Sequence, residues 1–129
     1  MRLLTAKTLI FFILFALTGQ AAGAQALDAP TVFTGAIEDL PLMNGLDAVA
    51  EEDVLFLGQK ERIAQTIAKG YVEPKEIYGF YAQTLPHMGW QKISSQSYKR
   101  DQEILLIHAR KEKDTHLTVV QFEVHPSGR

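Results

Sequence analysis

Four histidines, fifteen carboxylates and no cysteine are the side chains with which this chain could do acid–base or metal chemistry. His87, His108, His116 and His125 form neither an HxH nor an HxxxH pair. Without thiolates, no zinc-type ligand spacing exists, and no metal site is read. The histidines are expected at the surface or at strand edges. No serine sits in a G-x-S-x-G elbow, and Ser94, Ser95 and Ser97 fall in a polar stretch, so serine hydrolysis has no carrier. Glu51-Glu52-Asp53 are adjacent and solvated, whereas a glycosidase pair needs two acids facing each other across a cleft. Gly58, Gly70 and Gly79 are isolated, which excludes a phosphate-cradling loop, and no cofactor is read. Tyr78, Phe80, Tyr81 and Trp90 could stack on sugars or bases. At helical spacing such residues are more often core, and Tyr78 alone points off the stripe, as the expected exposed aromatic. Arg62, Arg100 and Arg110 could hold a carboxylate. Pairing with Asp101, Glu103 or Glu123 across strands is the simpler use. No residue is assigned a catalytic role. Tyr78, Arg62, Arg100 and Arg110 are the candidate interaction surface.

The elements that must position these residues lie beyond the first twenty-six. Met1–Lys7 carries Arg2 and Lys7 and no acid, Leu9–Leu17 is an unbroken apolar run, and the small residues after it end in Ala24-Gln25-Ala26. That is the layout of a secretory signal peptide cleaved after Ala26. The rival reading, an uncleaved anchor, has only nine strongly apolar residues to cover a bilayer of about 30 Å. The absence of cysteine excludes a lipid-modified N-terminus and disulfides alike. What remains, about 100 residues, is one domain stabilised by packing alone.

Charge divides that remainder. Leu27–Asp53 holds seven acids and no base, while 54–129 holds eleven bases against eight acids. A surplus this small over so many residues does not argue for nucleic acid. The sequence therefore reads as an acidic extended arm over residues 27–53 and a folded domain over 54–126. Within the arm, Leu27–Ala36 reads as solvated. Leu40–Leu46 reads as docked, because Leu40, Leu42, Met43 and Leu46 are costly to leave in water.

Local patterns then place the elements. Pro41 bars a helix from Asp39–Leu46, and Asn44-Gly45 supplies a turn. Val54–Leu57 suits a buried strand. Arg62–Lys69 fits a helix by its i, i+4 isoleucines and a strand by its alternation. Glu73–Leu85 is the clearest helix: Pro74 stands in its first turn, Ile77, Phe80, Tyr81 and Leu85 make one apolar stripe, and Pro86 ends it by taking Leu85 out of helical geometry. Strands come next at Trp90–Tyr98, Glu103–Lys111 and His116–His125. The last two are joined by Glu112–Thr115, which pairs Lys111 with His116, Ile107 with Val120 and Leu105 with Phe122. Leu105, Ile107, Ala109, Val120, Phe122 and Val124 share the inner face, and the helix stripe covers it.

Several segments together resemble a group of small exported proteobacterial proteins. They are Asp39-Leu-Pro-Leu-Met-Asn-Gly-Leu46, Arg62-Ile63, the string from Phe80 to Trp90, and Tyr98-Lys-Arg100 followed by Glu103. The group's pattern is DLPLMxGL, then GRI, FYxxTLPxxGW and YxR, and the match runs from about Asp39 to Pro126. Glu61 departs from it, standing where the group has Gly before Arg-Ile. The resemblance implies a shape, export and no catalytic residue, and it tips Arg62–Lys69 toward strand. The expected fold is α+β: an antiparallel sheet of about five strands with one helix packed on one face, in the order β-β-α-β-β-β. The expected function is a non-enzymatic accessory or binding module, periplasmic or secreted, whose partner is an envelope protein or component. Neither nucleic acid nor stable membrane insertion after leader cleavage is expected. The alternatives are a small-molecule or lipid carrier with a pocket between helix and sheet, and an enzyme of unrecognised type.

Overall fold

The computed structural model describes Val32–Gly128, so the leader read over residues 1–26 and the start of the arm lie outside the described residues. The described residues fold into a seven-stranded antiparallel sheet with one α-helix on one face. The strands are β1 (Asp47–Ala48), β2 (Val54–Leu57), β3 (Arg62–Gly70), β4 (Gln91–Lys92), β5 (Ser97–Arg100), β6 (Glu103–Lys111) and β7 (Thr118–Pro126), with helix α1 (Pro74–Thr84) between β3 and β4. Their order across the sheet is β1-β3-β7-β6-β5-β4, and β2 shares with β1 the outer edge of β3. Among the described residues no helix is long and apolar enough to cross a membrane.

The α+β reading holds, with seven strands rather than five. One added strand comes from splitting Trp90–Tyr98 into the hairpin β4–β5, because Ser94-Ser95-Gln96 turn the chain and both Ile93 and Ser94 donate to the Ser97 carbonyl. The other is β1. It pairs with Lys69 and Ala68, whereas β2 pairs with Gln65 through Arg62. A 3-10 turn at Ala50–Glu52 takes up the chain between the two pairings, so β1 and β2 form one edge strand interrupted by a helical excursion. Arg62–Gly70 is a strand throughout. Its inner residues Ala64, Thr66 and Ala68 are fully buried while Ile63 on the opposite side is exposed, the period of two that a helix could not satisfy.

The β6–β7 hairpin keeps the expected faces but not the expected register. Lys111 pairs with Thr118, Ile107 with Phe122 and Leu105 with Val124. The loop is longer than four residues, because His116 takes a left-handed conformation (φ 57°) and Thr115 ties the turn to Glu112 and Leu117. The displacement is two residues, an even number, so every side chain stays on its predicted face. His116 thus belongs to the loop, and His108 faces Gln121.

Helix α1 lays Ile77 and Tyr81 against that inner face, and Leu85 comes after them, each with no solvent exposure. Phe80 is half-buried and meets Tyr81 edge-on at 4.9 Å, and Tyr81 meets Phe122 at 5.1 Å. Pro86 does not expel Leu85 from helical geometry, which holds φ −62° and ψ −35°. The chain tightens into a 3-10 turn over Leu85–Met88, where proline's missing N–H is tolerated at the first positions, and Gly89 (φ 85°) ends it.

The arm docks earlier than its charge suggests. Thr34, Ala36, Ile37, Leu40 and Leu46 are buried, and Leu42 and Met43 pack against the core. Thr34 is held through its amide to the Leu40 carbonyl and through its hydroxyl to the Ile37 carbonyl, so a compact loop replaces the solvated lead-in expected there. Tyr81 donates from its hydroxyl to the Pro41 carbonyl at 2.8 Å, fixing the arm to the helix. Burial pushes this phenol well above its ordinary value.

Candidate functional site

Two places on the molecule gather groups that could act on something outside it. The first is the end of the sheet where β3, β5 and β6 bring their charged residues together. Arg62 donates from Nε and Nη2 to the two carboxylate oxygens of Glu103, both at 3.0 Å, a two-pronged pair that raises the guanidinium above its usual value. Glu38 and Asp39 add to the same field. Arg100 reaches Asp39 at 2.5 Å, donates to the Met88 carbonyl at 3.2 Å, and lies 4.2 Å over the Trp90 ring. Beside them Lys60, Glu61, Gln102, Pro126 and Ser127 complete a polar recess of about 140 Å³. Asp39, Arg62, Trp90, Arg100 and Glu103 all belong to the segments that carry the resemblance. Arg62 and Arg100 are thus each paired with a carboxylate, and the Arg100–Asp39 pair clamps the arm to the sheet.

Arg62 and Arg100 therefore do meet, but as halves of two ion pairs. Arg62 takes the expected partner, Glu103. Arg100 takes Asp39 from the arm rather than a strand neighbour. The other two predicted residues lie elsewhere. Tyr78 is half-buried rather than exposed: its hydroxyl accepts from the Ala109 amide at 2.9 Å and from Gln96 Nε2 at 3.3 Å, locking α1 onto β6. Arg110 stands on the opposite face of the sheet and is exposed. There it lines an open depression of about 400 Å³ with Lys69, His108, Glu112 and Gln121. Among the described residues no group of three or more histidines or carboxylates could hold a metal ion.

The second place differs from its sequence expectation. Val54–Leu57 is a strand, but an exposed one: Phe56 and Leu57 show 62% and 68% of their surface, and Val54 and Leu55 about half. Across the hairpin Ile63 is exposed as well. An unbroken apolar run has the pattern of a strand covered on both faces. Here it forms the outermost strand of the sheet instead, paired on one side only among the described residues. The Gly58 amide donates to the Glu61 carbonyl at 2.8 Å, and ladder alternation from that pair turns the backbone groups of Phe56 and Val54 toward β3. Those of Leu55 and Leu57 point outward, unpaired among the described residues. The turn closes with Glu61 in place, so glycine is not required there. The opposite edge of the sheet is protected in the ordinary way, by a two-residue strand and a polar serine-rich turn.

The chain matches no family model, and no curated protein or solved structure is significantly similar to it.

Proposed function

We propose that this chain is an exported, non-enzymatic binding module of the cell envelope that takes an extended partner segment onto the free edge of β2. One observation carries this reading: four consecutive apolar side chains, with outward-pointing backbone donors and acceptors between them, stand uncovered on a sheet edge. Monomeric domains usually blunt such an edge because it templates strand addition. An edge kept apolar and open is the receiving half of β-augmentation, in which backbone hydrogen bonds give affinity and alternate side chains give selectivity. The charged cluster supports the same reading, since its guanidinium and carboxylate groups are already paired. The space between helix and sheet is occupied by Ile77, Tyr81, Leu85, Leu105, Ile107 and Phe122, all without exposure, which favours binding on the outside over carriage of a ligand within. The leader-like segment and the lack of cysteine support export in free form.

The test is photo-crosslinking in exporting cells, with a benzophenone amino acid placed at Phe56 or Leu57 and, as a control, at Gln83 on the exposed side of α1. Discrete adducts from the β2 positions and none from the helix are expected. Equal labelling from all three positions, or none from β2, refutes the proposal.

A further inference from the structure

We propose that Asn44 is a self-modification site: its side chain closes on the Gly45 nitrogen to a succinimide, which water opens mainly to isoaspartate, and the altered turn releases β1 from the sheet. Asn44 is the only asparagine in the chain, and glycine follows it. Both reacting groups are accessible. The two residues are exposed and form the corner of a turn closed by the Leu46 amide on the Met43 carbonyl at 3.1 Å. Gly45 takes the third position of that turn at φ 94°, a conformation that other residues rarely adopt. Its N–H donates to no backbone group among the described residues, so no hydrogen bond has to break before the nitrogen reacts. Glycine also brings no Cβ to crowd the approach of the carboxamide carbon.

The chemistry balances with water as the only co-reactant. The Gly45 nitrogen gives up its proton and bonds to Asn44 Cγ. The bond from Cγ to the carboxamide nitrogen breaks, and that nitrogen leaves as ammonia. Water then opens the imide ring: attack at Cγ gives aspartate, and attack at the α-carbonyl gives isoaspartate, whose main chain runs on through Cβ and Cγ. The turn has no room for that extra backbone carbon. A Cβ on Gly70 would collide with the Gly45 carbonyl oxygen, and Val72 stands 2.9 Å from a Cβ placed on Gly45. Leu46, buried, leads from the turn straight into β1, whose pairing with Ala68 and Lys69 is two residues long. Lengthening the chain there breaks the Met43–Leu46 bond and throws β1 out of register. Upstream, Tyr81 still holds the Pro41 carbonyl and Arg100 still holds Asp39. The change is therefore confined to β1, and it uncovers the outer edge of β3 opposite Ala68 and Lys69. It is independent of the receiving edge on β2.

The experiment ages the purified protein in neutral buffer, beside the same chain unfolded in urea. Peptide mapping by mass spectrometry, with electron-transfer fragmentation to tell isoaspartate from aspartate, reads residue 44. In the folded protein Asn44 converts within about tenfold of the unfolded rate, since opening an exposed turn costs about 1.4 kcal/mol or less. The rate rises with pH because the attacking nitrogen must lose its proton, and Asn44→Gln, which would have to close a larger ring, stays unmodified. Conversion more than about tenfold slower in the folded protein overturns the site. The isoaspartate form is then separated and its amide hydrogen exchange measured. The amides that report are those of Leu46, bonded to the Met43 carbonyl, and Val49, bonded to the Ile67 carbonyl at 2.8 Å. Exchange at both rises at least about tenfold, while that of the β6–β7 hairpin is unchanged. Conversion that leaves both amides protected overturns the release of β1. Freshly prepared Asn44→Asp carries the new charge without the extra carbon and keeps both amides protected; loss of protection in that variant overturns the chain-length argument.

Discussion

The most demanding prediction concerns two glycines given the same substitution. A Cβ built on Gly70, the last residue of β3, falls 1.9 Å from the Gly45 carbonyl oxygen, 2.9 Å from its carbon and 3.1 Å from a Leu46 methyl. Because Cβ atoms are not found closer than 3.0 Å to such neighbours, the Gly45 turn must withdraw by about 1 Å. That turn is constrained, since Gly45 holds φ 94° and its own Cβ position is blocked by Val72. The withdrawal lifts Leu46, now 5% exposed, off the core. Full exposure of a leucine costs about 1.5–3 kcal/mol, and the entropy advantage of alanine in the unfolded chain returns about 0.4–1. Gly70→Ala therefore destabilises by about 2 kcal/mol, lowering Tm by about 10 °C. Gly79, in the exposed middle of α1, has nothing within 4 Å of the same methyl. There the helix propensity of alanine stabilises by about 0.7 kcal/mol. Urea unfolding followed by circular dichroism measures both. A Gly70→Ala midpoint within about 0.5 kcal/mol of wild type, or a destabilised Gly79→Ala, refutes the packing argument.

Other consequences are open to simpler measurements. Burial raises Tyr81 and Tyr98 above the ordinary phenol value of 10.0, so below pH 10 both states hold these protons and above it the unfolded chain releases them first. Stability therefore falls as pH rises past 10, by up to about 1.4 kcal/mol per pH unit through Tyr81, whose tyrosinate absorbance appears with unfolding, while Tyr98 shifts in the same direction. Tyr81→Phe leaves the buried Pro41 carbonyl unsatisfied and costs about 1–3 kcal/mol in urea. Removing one side of the partly exposed Arg62–Glu103 pair by Glu103→Gln costs about 1 kcal/mol, and a double-mutant cycle with Arg62→Met shows the coupling shrinking in 1 M salt (about the level that screens beyond 3 Å).

The architecture is legible in the sequence where two periods agree. The stripe Ile77, Tyr81 and Leu85 and the alternation of Leu105, Ile107, Phe122 and Val124 both name the core from residue order alone, and a two-residue shift in register leaves that face unchanged. Pattern fails where context outweighs it. Val54–Leu57 has the composition of a central strand. Only its place beside β3 leaves it uncovered, and the acids ahead of it are the one sequence signal that an edge is being marked. Thr34–Ile37 docks because Thr34 makes two local hydrogen bonds that composition does not reveal. Tyr78 lies off the stripe and so looks free, yet β6 offers its hydroxyl an amide. Arg62 with Glu103 is readable as a cross-strand pair. Asp39 with Arg100 is not, since nothing local links two residues so far apart in the chain.

That last contact has a temporal side. The arm leaves the ribosome before the helix and strands on which it rests: Asp39 waits for Arg100, Pro41 for Tyr81 and Thr34–Ile37 for the finished sheet. Hairpins β2–β3 and β6–β7 can form from neighbours, but the arm cannot settle until nearly all of the chain is present. Its closure therefore follows the helix and β5, and until then the core face it covers stays as open as the outer edge of β2.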